Sequence, residues 1–153
     1  MEVRMQYLTG FSGVLLWAIC AISGVAQDKP SLNGTWQFDA AKSELHSGKV
    51  AITTWVIEEG DNTIHITESE ASKSKKVELQ CTTDGKECAV TGDKAKASFW
   101  YNGPMLVEME TKGDHVMRYR MKISDDLKTL TVEVTHIVPQ SDKNDVMVFS
   151  KQI

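Results

Sequence analysis

Apolar and polar residues alternate along most of the chain after about residue 50. The alternation is cleanest over residues 115–123 and 129–138, where every second side chain lies on one face. A period of two is typical of β-strands, because neighbouring strand side chains point to opposite sides. Glycine, asparagine and aspartate separate these segments at short intervals, which predicts tight turns. The pattern predicts roughly ten short strands and no long helix.

Strands joined by tight turns form an antiparallel meander. A long meander leaves two unpaired edges, and closing the sheet into a barrel removes both. We therefore predict an all-β fold, an antiparallel up-and-down meander of about eight to ten strands closed into a β-barrel. A two-sheet sandwich is the alternative architecture.

The beginning of the chain has a different composition. Residues 8–26 carry no charge, and small residues close this segment at Ala26. That layout predicts a signal peptide over residues 1–26, cleaved after Ala26. An uncleaved anchor is the alternative, but glycine and serine interrupt the run of about 20 apolar residues that a membrane span needs. We expect an exported protein, periplasmic or secreted, with a single domain over residues 27–153 and no membrane span after cleavage.

Two cysteines remain after cleavage, Cys81 and Cys88. Asp84-Gly85 is a strong hairpin turn, and a hairpin centred there places the two cysteines directly opposite each other. Opposed Cα atoms lie about 4.5–5.5 Å apart, within the range that a disulfide accepts. The sequence therefore predicts a structural disulfide, as expected in an exported protein. A metal pair would need further ligands, and the spacing differs from the Cys-x-x-Cys of redox pairs.

The formal net charge is −4, and removal of residues 1–26 leaves it unchanged. A mildly acidic domain is not built to neutralise a phosphate backbone, so we expect no nucleic-acid partner. Three lysines at 73, 75 and 76 are flanked by Glu68, Glu70 and Glu78, which predicts a solvated hairpin. His-Glu-x-x-His, Gly-x-Ser-x-Gly and phosphate-binding glycine loops do not occur. We therefore predict no catalytic residues, no metal and no cofactor; an enzyme using His136 with a carboxylate is a third hypothesis.

The segment around Trp36 carries a resemblance. Asn33-Gly34-Thr35-Trp36 resembles the Gly-x-Trp start of lipocalins and the wider calycin barrels. With Ala41-Lys42-Ser43 it is similar to a group of exported bacterial lipocalin-like domains of poorly known function. The similarity continues at residues 83–86, 124–131 and 148–151. The resemblance implies a barrel with a central cavity for a small apolar molecule, without catalytic residues.

The first functional hypothesis is a non-enzymatic exported barrel that binds a small apolar or amphipathic ligand. Aromatic residues and their neighbours on the inferred inner faces are the candidate lining. They are Trp36, Phe38, Trp55, Phe99, Tyr101, Tyr119, Met121 and His136. The alternative is a filled-core protein–protein interaction module of the cell envelope, with Trp100 and Leu106 as exposed anchors.

The sequence also predicts where the methionines and the arginines of residues 118–120 lie. We expect the methionines at 105, 109, 117, 121 and 147 to fill the core, because methionine adapts to irregular gaps. Arg118-Tyr119-Arg120 resembles the Arg-x-Tyr carboxylate grip of intracellular fatty-acid carriers. Alternation places both arginines opposite Met117 and Met121, which predicts a solvated or ion-paired face instead.

Overall fold

The computed structural model describes residues 29–48, 50–71 and 76–153. The predicted signal peptide and two of the three clustered lysines lie outside these residues. The described chain forms ten strands. They are β1 (Gly34–Phe38), β2 (Ile52–Glu59), β3 (Thr63–Glu70), β4 (Val77–Thr82), β5 (Asp84–Thr91), β6 (Lys96–Asn102), β7 (Met105–Lys112), β8 (His115–Ile123), β9 (Thr129–Val138) and β10 (Asp145–Lys151).

Each strand pairs antiparallel with its neighbours in sequence, and β1 pairs with β10 to close the barrel. The predicted all-β antiparallel barrel is confirmed, and the sandwich alternative was wrong. In the part of the chain that the structure describes, no helix has the length and apolar character needed to cross a membrane.

Large aromatic side chains fill one half of the barrel. Trp36, Trp55 and Phe149 are each at most 1% exposed. Trp55 stacks on Phe149 with ring centroids 4.7 Å apart, and Phe38 meets Phe149 edge-on at 5.5 Å. The registers Trp36–Trp55 and Phe38–Phe149 put these rings on the same inner face. This half of the interior is therefore packed rather than open.

The segment before β1 closes the barrel at the end nearest this packed half. Leu32 is buried, and its carbonyl accepts a 2.8 Å hydrogen bond from the Trp36 indole. The carboxylate of Glu59 accepts hydrogen bonds from the Leu32 amide, at 2.7 Å, and from the Ser31 and Tyr101 hydroxyls. These contacts fix residues 31–32 across the barrel end.

The cysteine pair lies where the hairpin register predicts. Leu79 pairs with Val90 across β4 and β5, and the same register brings Cys81 opposite Cys88. Their Cα atoms are 5.6 Å apart, and the two cysteines form a disulfide. The predicted pairing of Cys81 with Cys88 is confirmed. The disulfide joins β4 to β5 close to the turn between them.

Loss of this disulfide should destabilise the fold less than loss of one that closes a long loop, because the two cysteines are only seven residues apart in sequence. We expect Cys81→Ala with Cys88→Ala to lower the free energy of unfolding by about 2.5 kcal/mol, the chain-entropy estimate for such a loop. Urea denaturation of the double variant against the oxidised parent measures the difference. Reduced parent protein is the control and should match the variant. Equal stability of oxidised and reduced parent would contradict the prediction.

Strand β7 has its faces opposite to the sequence-based expectation. Leu106 pairs with Tyr101 and Met121, both on inner faces, and is fully buried. The proposal of Leu106 as an exposed anchor was therefore wrong, while Trp100 is half-buried on the outer face. Met105 and Met109 also lie on the outer face of β7, so they do not fill the barrel. The inner face of β7 continues instead with Glu108 and Glu110.

Candidate ligand-binding site

A cavity of about 130 Å³ opens at the barrel end opposite the Leu32 segment. Its walls come from the beginnings of β2, β8 and β10, the end of β9, and the connection between β1 and β2. The apolar wall residues are Val50, Ile52, Met117, Val134 and Met147, and the polar ones are Ser47, Tyr119, His136 and Asp145. The cavity thus combines an apolar wall with a few polar groups near its mouth.

Two larger depressions lie outside the barrel. One, of about 350 Å³, lies between Pro30, Pro104 and the loop after β8. The other, of about 610 Å³, is lined mostly by charged and polar residues around Lys128 and Lys151. Neither contains inner-face residues of several strands. The cavity of about 130 Å³ is the smallest of these three, but inner-face residues of β2, β8, β9 and β10 line it.

Asp145 fastens the connection between β1 and β2 to the cavity mouth. Its carboxylate accepts hydrogen bonds from the amides of His46, at 2.5 Å, and Ser47, at 3.0 Å, and from the Ser47 hydroxyl. The ring Nε2 of His136 lies 3.3 Å from the same carboxylate. Burial by itself would raise the pKa of Asp145, but these hydrogen bonds outweigh it and lower the pKa to about 2. Asp145 therefore stays ionised and holds the loop at any ordinary pH.

Glu68, Glu108 and Glu110 project into the barrel beside this cavity, and Glu70, the register partner of the wall residue Ile52, lies on the same face as Glu68. Glu68 is the register partner of the buried Trp55, so it lies on the inner face of β3. Glu108 lies between Phe99 and Tyr119 in the sheet and is only 4% exposed. The inward position of Glu68 corrects the expectation of a fully solvated hairpin. Inner carboxyl groups at these positions were not predicted from the sequence.

Burial and mutual repulsion disfavour the ionised forms of Glu68, Glu108 and Glu110. Desolvation, followed by the charge of Glu110, raises the pKa of Glu68 to about 7, although the Trp55 side chain lowers it in part. Desolvation and the neighbouring Glu68 and Glu110 raise the pKa of Glu108 well above its usual range. The pKa of Glu110 is also raised, by burial and then by Asp93, with Lys112 opposing. The cluster therefore holds protons at a pH where ordinary carboxyl groups are ionised.

The eight predicted lining residues divide into two groups. Tyr119 and His136 line the cavity. Six others belong to the packed core or its margin, and Tyr101 lies at the closed end. These six are Trp36, Phe38, Trp55, Phe99, Tyr101 and Met121. Ligand contact by any of the eight stays a prediction. Met117 and Val134 of the cavity wall were on predicted inner faces and could have been chosen from the same alternation.

No protein-family model and no curated protein matches the chain. Several solved structures do match the chain in fold. A mutant of the fluorescent protein UnaG has a TM-score of 0.60 at 18% identity, over 79% of this chain and 96% of that one. A fatty acid transporter, REP1-NXSQ, gives 0.61 at 18% identity, covering 80% and 96%. Fatty-acid-binding protein 1 of Echinococcus granulosus gives 0.58 at 12% identity, covering 79% and 97%. The chain therefore has the closed antiparallel β-barrel fold of these three structures.

Proposed function

We propose that this protein is an exported, non-enzymatic barrel that binds one small apolar or amphipathic ligand through its open end. The observation that supports this proposal most directly is the cavity, because its wall combines apolar residues with the polar groups of Tyr119 and His136. Concave sites of this composition are the usual form of small-molecule sites. The fold shared with a fatty acid transporter and a fatty-acid-binding protein supports the same role. The disulfide and the predicted signal peptide support export.

The cavity restricts the size of the ligand. At about 130 Å³ it is smaller than the roughly 300–1,000 Å³ of sites for drug-sized molecules. A short or slender ligand fits best, and a larger one requires side chains to move. Met117 and Met147 are suited to that movement, because methionine is unbranched and has three rotatable side-chain bonds.

The polar groups at the mouth are arranged for structure rather than for nucleophilic catalysis. A serine nucleophile needs a hydrogen bond to its base. The Ser47 hydroxyl instead donates to Asp145, and the structure gives no hydrogen bond between Ser47 and His136. Asp145 in turn accepts two backbone amides of the loop. The His136-based enzyme hypothesis has its carboxylate in Asp145, 3.3 Å from Nε2, but the loop amides and the Ser47 hydroxyl already bind that carboxylate, which favours a structural role for it.

Binding of the neutral dye Nile red to residues 27–153 tests the proposal. We expect saturable binding with one site per chain, and Val134→Trp should abolish it by filling the cavity. Glu133→Trp is the matched control, because Glu133 is the adjacent residue of β9 and lies on the outer face in an ion pair with Arg120. Tyr119→Ala should shift the emission of the bound dye, since Tyr119 lines the cavity. Fluorescence titration and circular dichroism measure binding and folding together.

Absence of saturable binding of both Nile red and a slender ligand such as octanol by the folded parent protein would reject the ligand-binding proposal. The filled-core interaction module would then become the better hypothesis. Equal loss of binding in Val134→Trp and Glu133→Trp would show that the dye does not occupy the inner face, because neighbouring strand residues point to opposite sides.

A further inference from the structure

Tyr119 places a hydrogen-bond donor at the cavity wall without a strong acceptor. Its side chain lies on the inner face of β8 and lines the cavity. Among the described residues, its hydroxyl bonds to the Met117 sulfur, 3.6 Å away, and a thioether is a weak acceptor. Hydroxyl groups inside a protein normally bond to protein, water or ligand. A ligand oxygen at the cavity wall would therefore be a better partner for Tyr119 than Met117 is.

The Tyr119 hydroxyl keeps its proton and so remains a donor. Desolvation, followed by the charges of Glu110 and Glu108, raises the pKa of Tyr119 well above its usual range. Glu108 is the register partner of Tyr119, and Glu110 is the register partner of Met117, so both glutamates lie on the neighbouring strand of the inner face. The group that Tyr119 binds has to be an acceptor.

The cavity wall has no unmatched cation for a ligand carboxylate. In the part of the chain that the structure describes, no lysine or arginine lines the cavity. Arg118 and Arg120, on either side of Tyr119 in sequence, lie on the outer face of β8. Lys112 lies on the inner face at the end of β7, but it forms an ion pair with Asp93 at 2.6 Å. Because a buried carboxylate is costly without a cation, this wall disfavours a fatty-acid anion.

The polar pair at the mouth adds no net positive charge and no free acceptor. The Nε2 of His136 lies 3.3 Å from the Asp145 carboxylate, so the charge of a protonated His136 is matched by Asp145. That carboxylate also accepts the amides of His46 and Ser47 and the Ser47 hydroxyl. A carboxylate has about four acceptor positions, and these contacts use them. A ligand ammonium would therefore find no free carboxylate oxygen at the mouth.

We propose that the ligand is a neutral molecule with an oxygen acceptor, such as a ketone, an ester or an alcohol. Its oxygen accepts a hydrogen bond from the Tyr119 hydroxyl, and its apolar part lies along Met117, Val134 and Met147. This inference rests on the proposed function and names its ligand class. It separates this barrel from a carrier of fatty-acid anions, because Tyr119 here acts without an inward arginine.

Calorimetric titration of the folded protein with four probes of similar size tests the ligand class. The probes are acetophenone, a ketone; ethylbenzene, which has no oxygen; benzoate, an anion; and benzylamine, a cation. At about neutral pH we expect acetophenone to bind at least about tenfold more tightly than benzoate and benzylamine, because burying an unpaired charge is costly. Benzoate or benzylamine binding within about threefold of acetophenone would overturn the inference.

Tyr119→Phe locates the hydrogen bond. We expect it to weaken acetophenone binding about fivefold, the usual effect of one hydrogen bond, and to leave ethylbenzene binding unchanged. Thr135→Val is the matched control, because it removes a hydroxyl from the outer face of β9 and should change neither affinity. Unchanged acetophenone binding in Tyr119→Phe would contradict the inference. Equal losses for acetophenone and ethylbenzene would also contradict it, since they would show a packing effect.

Failure of the ligand class and failure of the proposed function give different results. Binding of acetophenone and ethylbenzene with equal affinity in the parent protein would leave the ligand-binding barrel standing and reject the oxygen acceptor. Failure of Nile red, octanol and all four probes to bind would reject the proposed function itself. Circular dichroism of each variant confirms that the comparison is made between folded proteins.

Discussion

Trp36→Ala should lower the free energy of unfolding by about 3–5 kcal/mol, the usual cost of truncating a buried aromatic residue. Trp36 has no exposed surface, and its indole donates a 2.8 Å hydrogen bond to the Leu32 carbonyl. The substitution therefore leaves a cavity and also an unpaired buried carbonyl. Because Leu32 closes the barrel end, the loss should reach beyond β1 to the segment before it.

Chemical denaturation with urea measures this loss, and Gln37→Ala is the matched control. Gln37 follows Trp36 in β1 but is exposed on the outer face, where its side chain accepts a 3.2 Å hydrogen bond from Thr54. We expect the control to cost no more than about 1 kcal/mol, as exposed substitutions do. Similar losses in the two variants would mean that the faces of β1 are assigned wrongly.

The second large effect concerns Glu68 and depends on pH. Its pKa is about 7 in the folded protein, against an ordinary value of 4.5. Between these values the unfolded chain releases a proton that the folded protein keeps, so the folded state loses stability as the pH rises. Above about pH 7 both states are ionised and the penalty is constant. Glu68→Gln removes the ionisable group and should therefore stabilise the protein at high pH more than at low pH.

We expect the gain from Glu68→Gln at about pH 8 to exceed the gain at about pH 4 by about 1–3 kcal/mol. One unit of pKa corresponds to about 1.4 kcal/mol, and partial exposure of the side chain reduces the full value. Urea denaturation at the two pH values measures the difference. Glu78→Gln, on the exposed face of β4, is the control and should show no such dependence. A gain from Glu68→Gln that is the same at both pH values would contradict the assignment.

Local rules predicted the strands and the disulfide hairpin well. Alternation over His115–Ile123 placed Tyr119 inside and Arg118 outside, as observed. The Asp84-Gly85 turn gave the register that joins Cys81 to Cys88. These features depend on neighbours in sequence, where strand period and turn length determine the geometry.

The prediction of the buried face of β7 failed, because composition indicates one face and the register with β6 buries the other. The face with Met105, Val107 and Met109 is the more apolar one, yet it lies outside. Asn102 pairs with Met105 across the two-residue Gly103-Pro104 loop. That register makes Glu108 the partner of Phe99, on the inner face. Turn length therefore determined the buried face, and a reading that counted residues from the turn would have found the inner glutamates.

The cavity mouth could not be predicted from pattern alone. Asp145 binds the amide of His46, which is 99 residues away in sequence. The loop around Ser47 has no regular alternation, and its position depends on hydrogen bonds to a strand at the far end of the chain. Such long-range contacts leave no periodic signal in the sequence.

Closure of the barrel by β1 and β10 has a consequence during synthesis on the ribosome. Trp36 pairs with Lys151, so β10, the strand that pairs with one edge of β1, is synthesised more than a hundred residues later. At 5–20 residues per second, that interval lasts on the order of 5–20 seconds. During this interval one edge of β1 is unpaired, and a strand of a second nascent chain could pair with it. Chains that emerge close together, from ribosomes or from an export channel, should therefore favour intermolecular pairing of this protein, and helpers that cover strand edges should matter most before β10 emerges.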